Sequence, residues 1–117
     1  MKITVWSDLH LEFAYPNQWP RIEGTDVLIL AGDTHNVKNL KATNSDYHSF
    51  LKYVSNTFGN VIMILGNHEY YGGKWNTSVQ ELKDAVQVYG NIFVLENDSK
   101  VIDSITFLGT TLWTDAN

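Results

Sequence analysis

The side chains able to do chemistry in this chain gather at three places. Asp8-Leu9-His10 closes the segment MKITVWSDLH, Gly32-Asp33 closes DVLILAGD, and Gly66-Asn67-His68-Glu69 closes NVIMILGNHE. Carboxylate, imidazole and carboxamide are oxygen and nitrogen donors, a mixture that suits Mn, Fe or Zn rather than a thiolate site. Cysteine is absent, so thiol chemistry and a disulfide framework are excluded. Asp8 and His10 stand two residues apart. On an extended backbone, positions i and i+2 project to the same side, so these two are expected to reach one ion together. Each segment taken alone also reads as a plain turn. Three of them in one chain is the stronger pattern.

What precedes each segment is a short apolar run. Ile3 to Trp6 is rich in strand formers, Asp26 to Ala31 reads DVLILA, and Asn60 to Leu65 reads NVIMIL. Continuous rather than alternating apolarity fits strands covered on both faces, as in a parallel sheet. Between the second and third runs, Tyr47, Phe50, Leu51, Val54 and Phe58 fall on one stripe and predict a helix over 43–58. Thr43, Asn44 or Ser45 would cap it and Gly59 would end it. After the third run, Val79, Leu82, Ala85, Val86 and Tyr89 predict a second helix over 77–89, with Ser78 and Glu81 as a capping box and Gly90 as a stop. Ile92 to Leu95 follows as a short strand and Asn97-Asp98-Ser99 as a turn. Val101-Ile102 and Ile105 to Leu108 then flank Asp103-Ser104 as a two-residue hairpin.

The resulting order is strand, loop, strand, helix, strand, helix, then short strands. It predicts an α/β sheet with parallel first strands and right-handed crossovers. Ligands collect at the carboxyl ends of strands in such sheets, which is where Asp8, His10, Asp33, Asn67 and His68 lie. The loop from Leu11 to Gly24 carries Phe13, Tyr15 and Trp19, read either as the rim of a substrate pocket or as local packing. His48 lies off the helical stripe and is expected at the solvent surface.

Composition narrows the class. Eight Lys and Arg stand against thirteen Asp and Glu, a net charge of −5. No basic run is visible, so nucleic acid is expected only as a substrate and not as a partner held by charge neutralisation. No apolar run approaches the roughly 20 residues of a membrane span. The first residues lack the shape of a signal peptide, and a cytoplasmic location is the default expectation. No Gly-rich phosphate loop follows the first strand, which disfavours a nucleotide-binding module.

In order, spacing and strand context, Asp8-Leu9-His10, Gly32-Asp33 and Gly66-Asn67-His68-Glu69 resemble the first three motifs of the calcineurin-like metallophosphoesterase family. The strings WSDLHLEF and GNHEYYGG are most similar to its small bacterial and phage members. The resemblance implies a hydrolase that cleaves phosphomonoester or phosphodiester bonds through a dinuclear metal centre and a bridging hydroxide. By it, Asp8 and His10 bind the first metal, Asp33 bridges both and Asn67 binds the second, the metals being Mn, Fe, Zn or Mg. His68 would stabilise the transition state and protonate the leaving oxygen. Glu69 would orient His68 or neighbouring groups, or else form a salt bridge or mark the entry to the following helix. His35 lies outside the family's ligand set.

Family members continue with further histidine ligands on later strands, whereas the four histidines here are His10, His35, His48 and His68. The resemblance therefore implies the amino-terminal half of the family's sandwich, with residues 1–117 as one partial domain. The second metal site is expected to hold its ion weakly or stand empty. An uncovered sheet surface would favour a homo-oligomer, and a non-catalytic half-domain acting by association is the alternative function.

Overall fold

The structure, a computed structural model, describes residues 1–11, 19, 23–35, 37, 40, 46–66 and 75–111. Its framework is a four-stranded sheet in the order β1 (Ile3–Trp6), β2 (Val27–Ala31), β3 (Asn60–Ile64) and β4 (Ile92–Val94). All three pairings are parallel, with Ile3 opposite Val27, Val27 opposite Asn60 and Val61 opposite Ile92. Helix α1 (Asp46–Thr57) links β2 to β3, and α2 (Trp75–Val86) links β3 to β4 through a 3-10 turn at Gln87–Tyr89. The hairpin β5 (Asp98–Ile102) and β6 (Ile105–Gly109) forms a separate two-stranded antiparallel sheet. This is the expected α/β class: parallel strands, flanking helices and a closing hairpin.

The two crossovers step in the same direction across the sheet. Uniform right-handed connections then place both helices on one face. The packing agrees. Leu28 and Leu30 of β2, Val61 and Met63 of β3, and Ile92 and Val94 of β4 share one buried cluster with Tyr47, Phe50, Leu51 and Val54 of α1 and Leu82 and Val86 of α2. Alternate residues of the same strands turn to the other face. There Val27 and Ile62 form a smaller cluster with Leu95 and Ile102, against which Ile29, Ile64, Phe93 and Phe107 pack. The hairpin covers this second face only in part, and Ile3 and Val5 of the outer strand β1 remain exposed.

Several boundaries differ from the sequence expectation. Helix α1 begins at Asp46, and the proposed caps Thr43, Asn44 and Ser45 lie outside the described residues. Its carboxyl end is closed from outside the helix. Asn91 Nδ2 donates towards the carbonyls of Ser55 (2.9 Å), Phe58 (3.2 Å) and Gly59 (3.3 Å), while Ser55 Oγ donates to Asn91 Oδ1 (2.7 Å). Helix α2 starts at Trp75, so Ser78 is a buried interior residue and the Ser78–Glu81 pair is not a capping box.

Strand β5 takes in Asp98 and Ser99, leaving only Asn97 (φ 50°) in the turn, because five rungs with β6 outweigh local turn preference. Asp103 (φ 50°) and Ser104 (φ 68°) both adopt the positive φ that a tight two-residue hairpin requires, without glycine. His48 is half-buried rather than solvated, its Nε2 lying 2.7 Å from the Leu40 carbonyl. Trp19 stacks on Trp6 (5.8 Å between ring centroids) and Tyr53 (5.7 Å), which makes it local packing; Phe13 and Tyr15 lie outside the described residues.

Candidate metal centre

The parallel ladder of β1 and β2 does not stop where the strands stop. Beyond Trp6 and Ala31 the two chains remain joined by Asp8 N to Gly32 O (3.0 Å), His10 N to Asp33 O (2.9 Å) and Leu11 N to Thr34 O (2.8 Å). These bonds pin the two loops side by side, so residues 23 or more apart in sequence meet at one edge.

At that edge the backbone of Asp8 (φ 57°), His10 (φ 49°) and Asp33 (φ 54°) is left-handed. Asp and His tolerate this region better than most residues, yet a non-glycine residue there still costs about 1–3 kcal/mol when held by its surroundings. The expectation that Asp8 and His10 share a side through extended alternation is thus replaced. Two left-handed residues, not a continued strand, bring them together.

The result is compact. One donor atom each from Asp8, His10 and Asp33 can be chosen so that all lie within 4.8 Å of one another. His10 Nε2 is 3.6 Å from Asp8 Oδ1 and 4.0 Å from Asp33 Oδ2. Ser7 Oγ donates to Asp8 Oδ2 (2.6 Å), which orients that carboxylate and leaves Oδ1 towards the imidazole. Side-chain exposure falls from Asp8 (62 %) through His10 (29 %) to Asp33 (15 %), so the group is anchored at Asp33 and opens to solvent at Asp8. Among the described residues, two carboxylates and an imidazole form an open donor set that fits a divalent cation of the Mn, Fe, Zn or Mg type.

The third strand end closes on the same point. A methyl group at Gly66 would meet Asp33 Oδ1, the Asp33 amide nitrogen (2.8 Å) and Cγ (2.9 Å). One at Gly32 (φ 97°) would meet Gly66 N (3.1 Å) and Cα (3.2 Å). Both glycines are therefore required by close approach, and Gly32 also by its positive φ. Asn67, His68 and Glu69 lie outside the described residues.

His35 is not part of the cluster. It is buried, stacks on Tyr47 (4.7 Å, 5°) and sets Nε2 2.8 Å from Asp46 Oδ1, tying the loop after Asp33 to the start of α1. Sequence reading passed over Ser7 and the half-buried Glu96 with Thr110 and Thr111. Glu96 had a signal, since it is an acidic residue following the apolar run of β4, as Asp33 follows β2.

The model of the family described as calcineurin-like phosphoesterase matches residues 1–115. An uncharacterised protein of Acanthamoeba polyphaga mimivirus is similar, at 31 % identity over 127 aligned positions that cover 93 % of this chain and 43 % of the viral protein. The chain thus spans less than half the length of that relative. No solved structure matches the chain. This protein belongs to the calcineurin-like phosphoesterase family.

Proposed function

We propose that this member of the calcineurin-like phosphoesterase family hydrolyses phosphomonoesters or phosphodiesters at the carboxyl end of its parallel sheet, using two divalent cations. The observation that carries the reading is the convergence of Asp8, His10 and Asp33 on one edge, each on a left-handed backbone. Asp8 and His10 would hold the first cation, Asp33 would bridge to the second, and Asn67 would complete the second site. Divalent cations held so supply charge neutralisation for a phosphate ester and make water acidic enough to act near neutral pH.

The remaining work falls to the chain itself. Ser7 fixes the rotamer of the exposed Asp8 carboxylate through its 2.6 Å hydrogen bond. Gly66 leaves room for the Asp33 carboxylate to lie flat against the end of β3. His68, next after Asn67, would stand beside the phosphoryl group and give a proton to the leaving oxygen, the usual duty of an imidazole in acid catalysis. Manganese is the cation we favour, and the cytoplasm the location.

The test is hydrolysis of a generic aryl phosphate with and without Mn²⁺. Turnover should require the cation and should fall by about two orders of magnitude or more in Asp33→Asn, the scale on which loss of one transition-state-stabilising group acts. Cation-independent turnover, or full activity in the variant, would refute the assignment.

A second reading is favoured by a different observation. Ile3, Val5, Val101 and Leu108 are exposed. Apolar surface of this kind supports self-association, and the chain would then act as a non-catalytic half that pairs with a second copy.

A further inference from the structure

The carboxyl end of β4 carries a carboxylate that the proposed chemistry does not use. Glu96 is half-buried and lies within hydrogen-bond reach of two hydroxyls from the residues that follow β6: Thr110 Oγ1 at 3.3 Å from Oε1 and Thr111 Oγ1 at 2.9 Å from Oε2. Thr110 Oγ1 also lies 2.6 Å from Asn97 Oδ1. Thr111 reaches further. Its Oγ1 also lies 2.5 Å from the carbonyl of Leu65, so its single proton is shared between the Glu96 carboxylate and the backbone at the end of β3.

That carbonyl belongs to the peptide plane joining Leu65 to Gly66. The far end of the same plane abuts the metal centre, since Gly66 lies against the amide and carboxylate of Asp33. The β3–β4 ladder has ended by this point, its last rung pairing Met63 with Val94. Gly66 is needed for the close approach, but glycine leaves its φ and ψ unrestricted. A freely rotating corner under Asp33 would let the carboxylate turn away. The Thr111 hydroxyl adds a hold on it from outside the sheet.

The hairpin brings the holder into place. A methyl group at Gly109 would meet Leu95 Cβ at 2.5 Å and Ile64 Cγ2 at 3.1 Å, so β6 ends in tight contact with the ends of β3 and β4. Thr110 and Thr111 follow directly.

We propose that Glu96 and Thr111 are positioning residues for the metal centre: through the Leu65 carbonyl they clamp the Leu65–Gly66 peptide plane and thereby hold Asp33 in its cation-binding orientation. The inference rests on the reading of Asp8, His10 and Asp33 as a cation site. The hairpin is then a brace for the rim as well as a cover for the second sheet face. Residues that orient a ligand without touching the metal commonly set affinity by 10- to 100-fold.

The test measures Mn²⁺ affinity by electron paramagnetic resonance titration of the purified chain. Asp33→Asn, Thr111→Val, Thr111→Ser and Glu96→Gln are compared with wild type. Melting temperature in EDTA and amide hydrogen exchange of Gly66 and Asp33 are measured alongside, both without metal. Thr111→Val keeps the shape and removes the hydroxyl. It should weaken Mn²⁺ binding about tenfold or more and speed exchange at Gly66 and Asp33, with a melting temperature close to wild type. Thr111→Ser should restore both. Glu96→Gln, which keeps a hydrogen-bond acceptor but loses its charge, should fall between.

Wild-type affinity in Thr111→Val would overturn the clamp, as would a Thr111→Ser variant no better than Thr111→Val. A loss of affinity accompanied by general unfolding in both Thr111→Val and Glu96→Gln would overturn it too, since it would show a merely structural role. If instead wild type binds no Mn²⁺, or Asp33→Asn binds it equally well, the metal centre itself fails and the clamp with it. Affinity lost in Asp33→Asn but kept in Thr111→Val sinks the clamp alone.

Discussion

Asp8, His10 and Asp33 hold unfavourable positions for the sake of one another. Each has a left-handed backbone, and two of them place carboxylate oxygens within 4.8 Å of one another and of an imidazole nitrogen. Like charges so close raise the free energy of the folded state, and an opposite charge between them lowers it. Removing one carboxylate should therefore not destabilise the metal-free protein. Asp33→Asn is the informative variant, because Asn tolerates the left-handed backbone as well as Asp does. Its melting temperature in EDTA should equal or exceed that of wild type. Mn²⁺ at about 100 times its Kd should stabilise wild type by about 2.7 kcal/mol and leave the variant unmoved. Differential scanning calorimetry with and without Mn²⁺ measures both. A variant that melts well below wild type in EDTA would mean that Asp33 is a structural residue.

At the scale of elements, the site depends on joints between strands and helices. Helix α1 joins the end of β2 to the start of β3, and its own ends are fastened by side chains from outside. At one end Asp46 meets the buried imidazole of His35, two residues beyond Asp33. At the other, Asn91 satisfies carbonyls of Ser55, Phe58 and Gly59, and its own carbonyl takes the Ser55 hydroxyl. Asn91 precedes β4, so this joint also sets the height at which β4 enters beside β3. Asn91→Ala strands part-buried acceptors and should cost about 1–3 kcal/mol, measured by urea unfolding. Asn91→Asp, which keeps one acceptor but loses both amide donors, should recover little of it. Neither joint was legible in the sequence. His35 and Asn91 are ordinary polar residues in loops, and their partners lie 11 and 32–36 residues away. The stripe of Tyr47, Phe50, Leu51 and Val54 was legible, because helical spacing is a local property and all four are buried as that spacing requires.

At the scale of the whole molecule, the decisive feature is an unequal pair of sheet faces. Both helices lie on one face, and among the described residues outside the sheet it is the hairpin that covers the other. Ile3 and Val5 share the hairpin's face with Val27 and Ile29, their register partners, but the cover does not reach them, and Val5 is 58 % exposed. Outward on the hairpin, Val101 (59 %) and Leu108 (83 %) add to the apolar surface. This surface should drive self-association at high concentration. Sedimentation velocity should show a concentration-dependent rise in mass for wild type, reduced or abolished in Val5→Lys with Leu108→Lys. Those substitutions replace no residue of the candidate metal centre, so the proposed Mn²⁺ binding should persist in the monomeric double variant. A wild type that stays monomeric at high concentration would contradict the expectation.

What the sequence by itself determined is the local half of this protein. Apolar runs ending in Asp8, Gly32-Asp33 and Gly66-Asn67 mark strand ends bearing metal-type donors, and the family likeness follows from the same short strings. These are properties of neighbouring residues, so they survive without coordinates. What only the tertiary structure decided is how those strand ends meet. Strand order and register set β1 beside β2, and the ladder bonds that run on past both strands draw Asp8 and His10 against Asp33. The left-handed turns that aim the donors, the close fit of Gly66 under Asp33 and the bridge from Glu96 through Thr111 to Leu65 depend on contacts between distant segments. Such contacts leave no periodicity in the chain, because their partners are chosen by the packing of the sheet and not by spacing along it.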